Sequence, residues 1–66
     1  MIHTDDLSRE IERCEQMLQR YAECGPGGQY AELMLARSLV LARTAKHDGS
    51  AASMLRSLQD LRGYAE

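Results

Sequence analysis

The sequence predicts an all-α fold: an antiparallel helical hairpin with a shorter third helix against it, three-helix bundle-like and oligomeric. Three observations carry this. Apolar residues recur at helical spacing through three segments, near residues 4–24, 28–47 and 50–62. Two clusters interrupt them, Cys24-Gly25-Pro26-Gly27-Gly28 and His47-Asp48-Gly49-Ser50, and each reads as a helix stop followed by a new start. No segment alternates with a period of two, and Phe and Trp are absent, so strands have no support. With 66 residues the chain is one helical domain, 1–66.

The first segment opens with Thr4 as a candidate cap and with Asp5 and Asp6 where they favour the helix dipole. Leu7, Ile11, Cys14, Leu18 and Tyr21 follow at spacings of four, three, four and three. They form one stripe, with Met17 and Ala22 on its edges and charged residues opposite.

The second segment is apolar nearly all round. Tyr30, Leu33, Met34, Val40 and Leu41 make one face, and Ala31, Leu35, Ser38, Ala42 and Ala45 make another. A helix of this kind is expected to be covered on several sides. The third segment has Ser50 as its cap and Gly63 as its end, with Ala51, Met54, Leu55, Leu58 and Leu61 in one stripe. Short connections make successive helices antiparallel neighbours.

Bulk properties bound the function. Eight basic against ten acidic residues give a net charge of −2 with no long run of one sign. Phosphate-contacting proteins carry a basic excess, so nucleic acid is not the expected partner. The first residues lack the basic-then-apolar pattern of a signal peptide, and no stretch approaches the ~18 apolar residues that span a bilayer. A soluble, cytoplasmic protein without membrane partners is expected. Cys14 and Cys24 are ten residues apart on one predicted helix, hence about 15 Å, beyond disulfide reach. That suits a reducing compartment.

A chain this short buries only about 60% of its unfolded surface, and small domains often recover stability by oligomerising. The second helix supplies the expected seam: Ala31, Ser38, Ala42 and Ala45 admit a second backbone, with Leu35 and Leu39 at the margin. That backbone is expected to be a second subunit's, with the third helix of the same chain as the alternative. A two-fold pairing is the expected symmetry. Arg37 falls within the apolar face, near Tyr30, and is expected to pair with Glu10, to snorkel, or to hold an anionic ligand.

Other sites are weaker. His3 and His47 would share one end of the hairpin with Asp5, Asp6 and Asp48, but without a dense ligand motif, so no metal or other cofactor is expected. Cys14 reads as a small hydrophobe, and Cys24 sits at a helix C-terminus that does not favour a thiolate. Gly25-Pro26-Gly27-Gly28 lacks the lysine and hydroxyl residue of a phosphate loop. Ala45, Gly49, Leu55 and Leu58 have the offsets of a helix-turn-helix, yet Asp48 and Ser50 stand where that motif buries apolar residues. No nucleophile, base and oxyanion donor come together, so catalysis is not expected. The expectation is a homo-oligomeric protein-binding module: an adaptor, assembly factor or inhibitor. The alternatives are a DNA-binding regulator and a ligand-sequestering protein with an anion site at Arg37 and Tyr30.

Overall fold

The computed structural model describes residues 4–64. The order is α1 (Thr4–Glu23), a single 3-10 turn (Gly25–Gly28), α2 (Gln29–Asp48) and α3 (Ala51–Arg62). The described residues contain no strand, as the absence of period-two patterning implied. All three helices touch one another in a molecule measuring 37 × 16 × 16 Å. Thr4 is already helical, so the cap of α1 lies outside the described residues.

The junctions follow from local chemistry. The 3-10 turn presses against α1: a Cβ on Gly28 would lie 2.7 Å from the carbonyl oxygen of Tyr21. Only glycine permits that approach. α2 ends at Gly49, whose φ of 73° is left-handed and whose N–H donates to the Ala45 carbonyl at 3.0 Å. Ser50 then caps α3, its hydroxyl oxygen accepting from the Ser53 N–H at 3.4 Å. Gly63 ends α3 in a right-handed conformation, through N–H bonding to the last carbonyls.

One core joins the helices. Leu7, Ile11, Cys14 and Met17 enter from α1, Leu35, Leu39, Ala42 and Ala45 from α2, and Met54, Leu58 and Leu61 from α3. Leu18, Tyr21 and Tyr64 pack on its edge. The buried arc of α1 is displaced from the expected stripe: Met17 is buried while Leu18 and Tyr21 are half-buried. Contact with the end of α3 draws that arc toward Arg13. The Arg13 guanidinium donates to Glu10 at 3.0 Å and to the Leu61 carbonyl at 2.9 Å, and the Cys14 thiol lies 3.8 Å from that same oxygen. The Leu61 carbonyl also accepts from the Tyr64 N–H at 3.1 Å, so one carbonyl at the end of α3 is bonded both to α1 and to the residues that follow α3. On α3 the stripe is narrower than expected, since Ala51 and Leu55 are exposed.

Candidate interaction surface

α2 shows two faces of different fate. Its small-residue face fills the core, with Leu35, Leu39 and Ala42 fully buried and Ser38 and Ala45 nearly so. Ala31 is half-buried toward its N-terminal end. Ser38 shares a hydrogen bond with the Tyr64 hydroxyl at 3.0 Å, so the seam is closed partly from the residues that follow α3. The surface expected to meet a second copy is therefore occupied by α1 and α3 of the same chain. Leu35 and Leu39, expected at its margin, lie at its centre, because α1 covers the flank that the sequence left open. Arg43 of that flank pairs with Glu15 of α1.

The opposite face is left uncovered by the described residues. Tyr30 is 77% exposed, Leu33 67%, Val40 59%, Leu41 55% and Met34 42%. These side chains present on the order of 500 Å² of apolar surface, near the top of the ~300–600 Å² of a typical monomer's largest patch. Such patches mark interaction sites. This corrects the expectation that α2 is enclosed on several sides.

Arg37 stands in the middle of that face, exposed, with no ion-pair or hydrogen-bond partner among the described residues. The expected Arg37–Glu10 pair does not form: Arg37 is on the exposed face of α2, and Glu10 pairs with Arg13 within α1. An exposed guanidinium keeps its hydration and needs no internal carboxylate. Tyr30, expected beside Arg37, is on the same face two turns away.

A shallow groove of about 480 Å³ runs between α2 and α3. Leu41, Thr44, Ala45 and Asp48 form one wall, and Arg56 and Asp60 belong to the other. Leu41 and Thr44 thus belong both to the groove and to the exposed face of α2.

The remaining candidates stay apart. His47 is exposed at the end of α2, and His3 lies outside the described residues. Among the described residues, no three His, Cys, Asp or Glu side chains are placed to hold a metal ion. Both cysteines are free, Cys14 buried and Cys24 exposed. Burial pushes the Cys14 thiol above its ordinary range, against an opposing pull from Arg13. Leu55, which a helix-turn-helix would bury, is 43% exposed. No described helix is long and apolar enough to cross a membrane.

Sequence reasoning missed the Arg13 clasp. The signal was a cation three residues beyond Glu10, at the border of the α1 stripe. The chain matches no protein-family model, no curated protein and no solved structure.

Proposed function

We propose that this chain is a non-enzymatic helical interaction module that acts as a homo-oligomer. The uncovered face of α2 is its contact surface. One observation carries the reading: five large apolar side chains lie exposed along a single helix whose other face is already committed to the core. In this reading α1 and α2 form an antiparallel hairpin, and their five-residue connection and the Glu15–Arg43 pair support that arrangement. An adaptor, assembly factor or inhibitor offers a helix face of this sort to a protein partner. Two free thiols suit a reducing compartment.

Sedimentation of the wild-type chain between micromolar and millimolar concentration tests the reading. The expected outcome is a concentration-dependent dimer or larger species, abolished by Leu33→Glu with the helical circular dichroism unchanged. A wild-type chain that stays monomeric to about a millimolar, the weak end of specific affinity, would sink it. Ala42→Glu does not serve as the probe, since Ala42 is fully buried within the monomer and a charge there unfolds the chain.

A further inference from the structure

We propose that the occupant of the α2 face is a second copy of this chain lying antiparallel, with Tyr30 of each copy seated at the α2–α3 groove of the other. This rests on the self-association reading above and adds its geometry.

The spacing of the seam is the first support. Tyr30, Met34, Arg37, Leu41, Thr44 and Asp48 succeed one another at four, three, four, three and four residues. The progression is that of a coiled-coil seam. It is also palindromic, so a reversed copy matches it layer for layer. Tyr30 then meets Asp48, Met34 meets Thr44, and Arg37 meets Leu41, with the two-fold axis crossing the seam midway between Arg37 and Leu41. A parallel pair in register stacks Arg37 on Arg37 and Asp48 on Asp48. Like charges facing each other across an apolar seam are strongly disfavoured. The antiparallel pair instead lays each arginine stem over a leucine and lets its head reach the rim.

Shape is the second support. Tyr30 is the most exposed large apolar side chain of the face, and the groove is a hollow on that face at the other end of α2. The antiparallel register brings knob and hollow together twice, once for each copy, with Asp48 available to the phenol hydroxyl. α3, with 12 residues against 20 in α2, lies beside the C-terminal half of α2, between the Ser38–Tyr64 bond and the groove. Each copy therefore leaves open the half of α2 that the other copy fills, and the two α3 helices occupy separate halves.

Area is the third support. The apolar patch, extended by the Arg37 stem and Thr44, rises toward the ~800 Å² per partner of a standard specific interface. An isologous contact uses the same patch on both copies and closes at two.

The test introduces one exposed cysteine at a time in a Cys24→Ser background, in which Cys14 is buried. Met34→Cys and Thr44→Cys lie at exposed positions, so neither disturbs the core. In a glutathione redox buffer, the antiparallel register gives a disulfide of dimer mass only when the two variants are mixed. Dimers that crosslink within each variant alone, or that do not crosslink in the mixture, overturn this geometry while self-association stands. A monomer at all concentrations overturns both. Independently, Tyr30→Ala is expected to raise the dimer dissociation constant about tenfold or more, as loss of an aromatic anchor seated in a hollow does. No change would remove Tyr30 from the contact.

Discussion

The two cysteines show how far surroundings set the chemistry of one side chain. Cys14 is fully enclosed by the three-helix core, and its thiol is held above the ordinary range by burial, while Cys24 lies open beyond the end of α1. A thiol must ionise and be reached before it reacts. In native protein one equivalent, Cys24, is therefore expected to react promptly with a disulfide reagent. Cys14 reacts only as the chain opens. Equal rates for the two would contradict the packing. The raised value also fixes a direction with pH. The unfolded chain releases the Cys14 proton near the ordinary thiol pKa of ~8.5, whereas the folded chain retains it. Unfolding then carries fewer bound protons, so stability falls as pH rises above that value. The role of Cys14 as a small hydrophobe was legible from its place in the apolar stripe. Arg13 was not, because its carbonyl partner, Leu61, is 48 residues away and no local spacing encodes that meeting.

At the scale of the element, the three helices were readable because each break has a local cause: Gly28 for close approach, Gly49 for a left-handed residue, Ser50 for a cap. Gly28→Ala is expected to destabilise the chain by about 1–3 kcal/mol in urea denaturation, since a backbone oxygen stands where the methyl must go. Gly27→Ala is the control. Nothing lies within 4 Å of a Cβ there, and the stiffer unfolded chain makes the change neutral or slightly stabilising. Equal effects at the two positions would show that the turn does not press on α1. The environment of α2 was harder to read. Its two apolar faces have comparable spacing, and periodicity does not say which turns inward. Size decided it. Ala31, Ser38, Ala42 and Ala45 let the neighbouring helices approach closely on either side of Leu35 and Leu39, whereas the face with Tyr30, Leu33, Met34, Val40 and Leu41 has no small residue along its length. The same small residues that suggested contact between subunits were the ones needed within the subunit.

The whole molecule is a slender unit whose one thin core must stabilise 66 residues. A partner that binds only the folded form adds stability by mass action, so the unfolding midpoint of the wild type is expected to rise with protein concentration. In the proposed dimer Arg37 limits that gain, because a cation within an apolar seam fixes register at a cost in affinity. Arg37→Leu is thus expected to tighten self-association by about tenfold or more, read by sedimentation and by a steeper rise of the midpoint. A weaker dimer would mean instead that Arg37 supplies a favourable ionic contact to the other copy.

The double commitment of α2 bears on how this sequence can change over generations. Most surface helices of a small domain drift freely on their outer half and are constrained on the inner one. Here one side of α2 is fixed by α1 and α3, and the other is the side proposed for the contact. Only a narrow arc near Glu32, Ala36 and Arg43 remains, and Arg43 is itself engaged with Glu15. Tolerance to substitution should therefore be lowest in the middle helix and highest along the outer face of α3, at Gln59 and Arg62, where nothing yet described asks anything of the side chain.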